Sequence, residues 1–555
     1  MLKTSRKKLI TLDIGAFETR ETHLKSRKDG IVYTSQELRG LAPHRCTFGY
    51  DIIVYVGYAL FVRCRGEREI IEALAERNVR ISDREIAFLG KKFLTYLGVA
   101  HQESRHRIRS AMERRGGYIL HLDGTCEGDS PHLFTGLDGI AELVLENVKL
   151  PSERSELLVP FFDKIKRHYG DPIALVHDMG KGILSAVNTV FPGIPDYICH
   201  FHFLRDIGKD LLDSEYSKIR NSLKKHKIRG SLRQIAKHLE KTAGKDHEVF
   251  KALHAGLTSG GLTAVPGKSP AICVFASIHW AFDISAELNG YGFPFDRPHL
   301  LFYHRLSSIY EAIESIRKTP LSYESEYRPM NRLFRVLKPV MEDVALKKNV
   351  KQIDRKVKVY EDLREALRIA LPEGKNGLND HGDDTDMGSI RSRVTEFRNK
   401  LLSDDNYSTD YDKMIHQLDT YWEKLFADPI EVNTPQGIVF FEPQRTNNIL
   451  ERFFRDFKRR NRKRSGSVSL SKTLKAILSS TPLVKNLENT EYLDIILNGA
   501  NTLEERFAQI DANIVTNQLK EANKENRKLP IQLKKLIREP LFPQNLAALL
   551  GARQN

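Results

Sequence analysis

Three acidic residues have the types and positions from which an active site can be built. Asp123 ends the apolar run 118–123, and Asp178 ends the apolar run 173–178. An Asp at the carboxyl end of a buried strand lies at the rim of a sheet, where active sites of open α/β folds form. Glu451 lies much later, near the start of a helical pattern. Together they are the carboxylate set that a two-metal phosphoryl-transfer site needs.

Each of these acids also has a simpler interpretation. An Asp at the end of a strand often serves only the following turn, and a single Glu on a helix is often only a solvated surface group. If the strands ending in Asp123 and Asp178 are neighbours, however, the two carboxylates lie side by side. They then repel each other unless a cation lies between them. The strand order therefore decides between the two interpretations.

The sequence 446–464 predicts an amphipathic helix, with Thr446, Asn447 or Asn448 as its cap and Gly466 near its end. Its apolar face consists of Ile449, Leu450, Phe453, Phe454 and Phe457. Its cationic residues are predicted to contact DNA phosphates: they are Arg455, Lys458 and Arg462, on the same face as Glu451, and Arg459, further round the helix. The segment 445–475 contains eleven Lys and Arg and two acids, so it carries +9 of the chain's net charge of +15. The alternative is a solvated basic face without a ligand.

Apolar patterns in the first half of the chain predict a sheet with helices between its later strands. Strands are predicted at 118–123, 133–137, 143–148, 173–178 and 197–199, and helices at 152–169, 181–190 and from 203. Residues 214–428 have an almost wholly helical pattern, and so have residues 480–555. Residues 1–66 give no clear pattern, although the apolar run 50–62 fits a buried helix or a strand.

With these motifs in place, the chain resembles the DDE transposases, whose catalytic core is RNase H-like. The Mutator-like and hAT-like branches resemble it most closely, because they carry a Cys-x-x-His motif after the second Asp. Here that motif is Cys199-His-Phe-His202. They also carry a large helical insertion before the final Glu, and 451 − 178 = 273 positions separate the last two acids here. The resemblance covers roughly residues 118–466.

The resemblance implies an α/β RNase H-like core with a mixed five-stranded sheet flanked by helices. A large all-α insertion domain interrupts this core, and the N- and C-terminal regions are mainly helical. The implied organisation is an N-terminal DNA-binding region at 1–110, core segments at 116–213 and 431–475, the insertion at 214–430, and a C-terminal helical region at 476–555.

The resemblance also implies roles for single residues. Asp123, Asp178 and Glu451 would hold Mg²⁺ or Mn²⁺ and carry the chemistry, and His202 would donate to the scissile phosphate. Trp280 would stack on a base from the element end. From the residues alone, the alternatives are a satisfied core histidine for His202 and a core aromatic for Trp280, the more common fate of a Trp.

Two helical patterns near the N-terminus have the outline of a helix-turn-helix at 67–97. The first covers 67–78, and a capping box from Ser82 to Glu85 opens the second. This arrangement makes Arg84 and Lys91 candidate DNA contacts. The alternative is an ordinary helical hairpin.

The expected function is that of an insertion-sequence transposase, which cuts at element ends and transfers the strands into target DNA. Its partners would be the terminal inverted repeats, target DNA and further copies of itself, in a dimer or higher assembly. Scattered cysteines and the lack of a long apolar run predict a cytoplasmic protein with no membrane association, nucleoid-associated in a prokaryote. The alternatives are an inactive DNA-binding regulator, and a nuclease or resolvase on the same core.

Overall fold

The computed structural model describes residues 3–243, 247–259, 269–319, 325–370, 386–403, 408–525 and 531–551. The chain forms two units. The first comprises Met1–Tyr197 and Pro429–Asn555 and is called the sheet unit here. The second, Ile198–Asp428, is called the helical unit.

Among the described residues, the strands belong to the sheet unit, except that the strand Asp196–Ile198 ends on the first residue of the helical unit. They are β1 (Lys3–Thr11), β2 (Gly15–Lys25), β3 (Val32–Tyr33), β4 (Ile119–Thr125), β5 (His132–Asp138), β6 (Leu143–Leu150), β7 (Ala174–His177), β8 (Asp196–Ile198), β9 (Ile430–Thr434) and β10 (Gly437–Phe441). The central sheet has the order β6-β5-β4-β7-β8. Because β4 pairs antiparallel with β5 but parallel with β7, the sheet is mixed.

The helices of the sheet unit come before the central sheet in the chain, connect its strands, or follow it. They are α1 (Gln36–Leu41), α2 (Tyr50–Gly57), α3 (Glu67–Ala75), α4 (Asp83–Glu103), α5 (Arg105–Arg114), α6 (Ser155–Tyr169), α7 (Lys181–Val190), and, after the helical unit, α18 (Asn448–Ser465), α19 (Leu470–Ala476), α20 (Thr490–Leu497), α21 (Leu503–Gln509), α22 (Ala512–Glu525), α23 (Ile531–Leu536) and α24 (Phe542–Gly551). A π-helical turn, Tyr58–Val62, continues α2, and a 3-10 segment, Thr481–Glu488, follows α19.

The helical unit contains α8 (His200–Lys225), α9 (Ile228–Ala243), α10 (His247–Ser259), α11 (Ser269–Phe282), α12 (Pro298–Arg317), α13 (Arg328–Met341), α14 (Val344–Leu367), α15 (Met387–Leu402), α16 (Asp412–Thr420) and α17 (Trp422–Leu425). Asp343 caps α14 and also accepts from His226 at the end of α8, at 2.9 Å. Within the described ranges, no helix is both long and apolar enough to cross a membrane.

The predicted five-stranded mixed sheet flanked by helices is confirmed. β4 and β7 are buried along almost their whole length, which suits strands that are covered on both faces. The helix α6 begins at Ser155 rather than at 152, while α7 has the predicted bounds. Gly170, with a φ of 83°, ends α6 in a conformation that favours glycine and turns the chain towards β7.

One hydrophobic core joins the N-terminal helices, the sheet and the C-terminal helices. Phe507 of α21 stacks on Tyr96 of α4 with ring centroids 5.0 Å apart, and its ring also meets Phe93 at 5.8 Å. A side chain at Gly57 of α2 would meet the Phe93 ring, which shows how closely these helices approach. The N-terminal helices therefore share the core of the sheet instead of forming a core of their own.

The N-terminal segment contains structure that its sequence pattern did not reveal. β1 and β2 form a long antiparallel hairpin whose register runs from Lys3 opposite His23 to Thr11 opposite Gly15. Most of their side chains are exposed or half-buried and many are charged, so neither strand shows a clear alternation of apolar and polar residues. The apolar run that begins at Tyr50 is a helix, α2, and not a strand.

Two buried histidines make the stability of the sheet unit depend on pH. Burial lowers the pKa of His101 and of His121 to about 4, from the usual histidine value of 6.5. At pH 5 the unfolded chain therefore binds protons that the folded chain does not, so stability is full above about pH 6.5 and falls as the pH drops towards 4. Burial raises the pKa of Asp138 to about 6, which has the opposite effect.

We expect the free energy of unfolding to fall between pH 7 and pH 5. Each histidine contributes a loss of about 2 kcal/mol, and Asp138 offsets about 1 kcal/mol, which leaves a net loss of about 3 kcal/mol. Urea denaturation followed by circular dichroism at the two pH values measures it. A free energy that stays constant or rises would show that these imidazoles are protonated in the folded protein.

Candidate functional site

Asp123 and Asp178 lie at the same edge of the central sheet. β4 and β7 are parallel neighbours, and the last pair of their register is Leu122 opposite His177. The next residue on each strand is an Asp, so Asp123 and Asp178 both follow the last residues that pair β4 with β7, although β4 itself continues to Thr125, two residues beyond its predicted end. Asp123 is 8% exposed, and the backbone N–H of Gly124 donates to its Oδ1 at 2.7 Å. The strands that bear or precede Asp123 and Asp178 are therefore neighbours, which is the condition that the sequence left open.

The helix that bears Glu451 is attached to the strand that bears Asp123. Asn447 precedes α18, and its buried amide does not cap the helix but reaches across to β4. His121 Nδ1 donates to Asn447 Oδ1 at 2.9 Å, and Asn447 Nδ2 donates to the Leu122 carbonyl at 2.9 Å. The backbone N–H of Glu451 donates to the Asn447 carbonyl at 3.1 Å. Glu451 thus lies one helical turn beyond a residue fixed beside Asp123.

Apolar burial sets the rotation of α18 about its axis. Ile449, Leu450, Phe453 and Phe454 are buried, as the three- and four-residue spacing predicted. At the other end of the helix, Gly466 has a φ of 65°, and its N–H donates to the Arg462 carbonyl at 2.9 Å. This left-handed cap is the one expected of a helix-ending glycine.

The loop that follows Asp123 is attached to the segment that follows α18. The backbone N–H of Ser471 donates to Glu127 at 2.7 Å, and Lys475 Nζ pairs with Asp129 at 2.5 Å. Burial and the nearby Glu153 raise the pKa of the Cys126 thiol, whereas the charge of Lys458 acts to lower it. Lys458 on α18 therefore lies near the loop that continues from Asp123.

The cations of α18 divide into two groups. Arg455, Lys458 and Arg462 are exposed, as expected for a surface that meets phosphates. Arg459 is also exposed but lies 3.9 Å from Asp456, so its charge is partly compensated. On another side of the helix, Arg460 is ion-paired with Glu488. Arg455, Lys458 and Arg462 are called the cation row below.

A further carboxylate, Glu153, lies near this edge of the sheet and was missed by sequence analysis. A side chain at Gly124 would come within 2.5 Å of Glu153 Oε1, and His132 Nδ1 lies 2.9 Å from the same oxygen. The Glu153 carbonyl also approaches Gly182 of α7, the helix that follows Asp178. Glu153 lies in the loop before α6, so the rule that selected acids at strand ends could not find it.

The donor set fits a hard divalent cation, because carboxylate oxygens are the ligands that Mg²⁺ and Mn²⁺ prefer. Across the described residues, the oxygens of Asp123, Asp178 and Glu451 do not all come within 4.8 Å of one another.

Two further predicted site residues belong to the helical unit. His202 is buried in the first turn of α8. Trp280 lies in α11 and is 46% exposed, with the Arg305 guanidinium 4.7 Å from its ring centroid. Trp280 is thus not a buried core residue, which was the alternative. The catalytic role of His202 and the base-stacking role of Trp280 stay predictions.

The candidate DNA contacts near the N-terminus lie on α4. Its capping box is present: Glu85 N–H donates to Ser82 Oγ at 3.3 Å, and Ser82 N–H donates to Glu85 at 2.9 Å. However, α4 extends to Glu103 and is buried almost throughout its second half. Arg84 is exposed and Lys91 is half-buried, and their contact with DNA stays a prediction.

Comparison with models of known protein families gives no match. Comparison with curated proteins gives no match either.

Proposed function

We propose that the chain is a DNA transposase that uses Asp123, Asp178 and Glu451 for metal-dependent cleavage and strand transfer. The observation that carries the proposal is the parallel pairing of β4 with β7, in which Asp123 and Asp178 each follow the last paired residue. The attachment of α18 to β4 through Asn447 supports the inclusion of Glu451. The exposed cation row on the same helix supports a polyanionic substrate.

The residues have separate tasks in this proposal. Asp123, Asp178 and Glu451 would hold Mg²⁺ or Mn²⁺, which supplies an activated attacking oxygen and stabilises the leaving oxygen. The cation row neutralises phosphates of the strand that approaches the acids, and Arg84 and Lys91 contact DNA away from them. The protein thus contributes chiefly positioning and charge neutralisation. Assembly of several copies on element ends and target DNA belongs to the same proposal.

The function is tested with a supercoiled plasmid that carries the DNA flanking the gene. We expect Mg²⁺-dependent cuts at the borders of inverted repeats, followed by joining of the freed 3′ ends to other DNA. Both products are resolved by sequencing the new ends and junctions. Cuts without junctions would indicate a nuclease or resolvase, and binding without cuts would indicate a regulator. Either result contradicts the proposal.

The cation row predicts a change in the salt dependence of DNA binding. Each phosphate contact contributes about 0.9 to the slope of log affinity against log salt concentration on duplex DNA. We therefore expect replacement of Arg455, Lys458 and Arg462 by Ala to flatten this slope by roughly two to three units. Affinity should fall similarly for cognate and random sequences, since phosphate contacts carry no base information.

The matched control for this titration is the double variant Arg459→Ala/Lys463→Ala. Both residues are exposed on the same helix but lie further round it, so we expect a smaller change in slope. Equal slopes for the triple variant and the parent protein would mean that the cation row is only a solvated surface.

A further inference from the structure

A pocket of about 270 Å³ lies within the sheet unit, along the side of α18 away from the cation row. One wall consists of successive turns of α18, and none of its lining residues belongs to the cation row. The π-helical turn after α2 forms a second wall through Leu60 and Phe61, and the 3-10 segment Thr481–Glu488 contributes a third. Three separate parts of the chain thus enclose one space.

The interior of the pocket is mainly apolar. Ile449, Phe453 and Phe457 of α18 line it together with Leu60 and Phe61. Its size and its composition suit a small organic molecule, since ligand sites are typically apolar clefts of a few hundred Å³ with a few fixed polar groups.

Most charged groups at the pocket are already ion-paired. Arg452 lies 3.5 Å from Glu142, and Asp456 lies 3.9 Å from Arg459. Lys485 pairs with Glu488 at 2.8 Å. These groups therefore add little net charge that a ligand could use.

Arg464 is the exception among these groups. Its guanidinium donates to Asn461 Oδ1 at 3.0 Å and lies over the Phe61 ring, 5.0 Å from the centroid. Within the described part of the chain, no carboxylate is ion-paired with it. Burial lowers the pKa of this guanidinium, which is the expected effect on a cation held away from water. The Glu67 carboxylate acts on the guanidinium only from beyond ion-pair distance, so an anion in the pocket would give Arg464 a direct ionic partner.

We infer that this pocket binds a small organic anion with an aromatic body. The aromatic part would contact the apolar walls, and the anionic group would pair with Arg464. Thr481, whose buried hydroxyl has no hydrogen-bond partner among the described residues, lines the same space and offers a further polar contact. The inference is independent of the proposed function, because it uses neither the carboxylates nor the cation row.

The test uses 8-anilinonaphthalene-1-sulfonate, a fluorescent aromatic anion, as the probe for the native full-length protein. We expect saturable binding with one site per chain. Replacing Arg464 by Met keeps an apolar contact with Phe61 but removes the charge, and should weaken binding at least about tenfold, which is 1.4 kcal/mol. Arg462→Met, on the same helix but in the cation row, is the matched control and should bind like the parent.

A neutral analogue, N-phenyl-1-naphthylamine, separates the charge from the apolar contacts. It should bind the parent more weakly than the sulfonate and should respond little to Arg464→Met. If Arg464→Met does not fold, Phe61→Ala and the two dyes still test the site, because loss of the ring should weaken both. The inference is overturned by unsaturable binding, by equal affinity of the two dyes for the parent, or by equal effects of Arg464→Met and Arg462→Met.

Discussion

Replacing Asp123 or Asp178 by Asn is expected to reduce DNA strand cleavage at least about a thousandfold, because loss of about 4 kcal/mol of transition-state stabilisation accompanies loss of a metal-binding carboxylate. Glu451→Gln should have a comparable effect. Duplex binding should remain close to that of the parent, since the cation row is intact in all three variants. Single-turnover cleavage of a labelled DNA end and an equilibrium binding assay provide the two measurements.

Two controls separate a lost site from a damaged fold. Asp171 is exposed and lies before the amino-terminal end of β7, whereas Asp178 follows its carboxyl end. Asp171→Asn should therefore leave cleavage unchanged. Asn at position 123 or 178 removes one of two neighbouring negative charges, so the free energy of unfolding without metal should not fall. If a variant at position 123 or 178 cleaves at a near-parental rate, the acid at that position is not part of the site.

Replacing Asn447 by Leu is expected to lower the free energy of unfolding by about 2–4 kcal/mol, since two buried hydrogen-bonding groups on β4 lose their partner. The same change should slow cleavage, because Glu451 is then no longer fixed relative to Asp123. Urea denaturation and single-turnover cleavage measure the two effects.

A double-mutant cycle with His121 isolates this contact. The variants are Asn447→Ala, His121→Ala and their combination, and we expect a coupling energy of about 1–2 kcal/mol. A coupling energy within about 0.5 kcal/mol of zero would mean that the two residues act independently. The attachment of α18 would then depend on its apolar face alone.

The sequence predicted the central sheet well because its strands are apolar runs bounded by polar turns. It also predicted α18, whose two faces differ sharply in polarity. The contact between Asn447 and β4 could not be predicted. An Asn before a helix is normally interpreted as a cap, and only the tertiary structure shows that its amide bonds His121 and Leu122, more than 300 positions earlier.

In the N-terminal region, the local structure was predicted but its long-range packing was not. The capping box from Ser82 to Glu85 was predicted from its local pattern and is present. Local sequence could not show that α4 packs against Phe507, because contacts over 400 positions leave no periodic signal. Glu153 was missed for a related reason: its position beside Gly124 depends on how the loop before α6 packs.

The most direct test of the central claim is to locate the divalent cation on the polypeptide. Fe²⁺ bound in place of Mg²⁺ produces hydroxyl radicals with ascorbate and peroxide, and these cut the chain near the ion. We expect cuts close to Asp123, Asp178 and Glu451 together, suppressed by excess Mg²⁺ and absent in Asp178→Asn. Cuts near only one of the three acids, or cuts that Mg²⁺ does not suppress, would contradict a shared metal site.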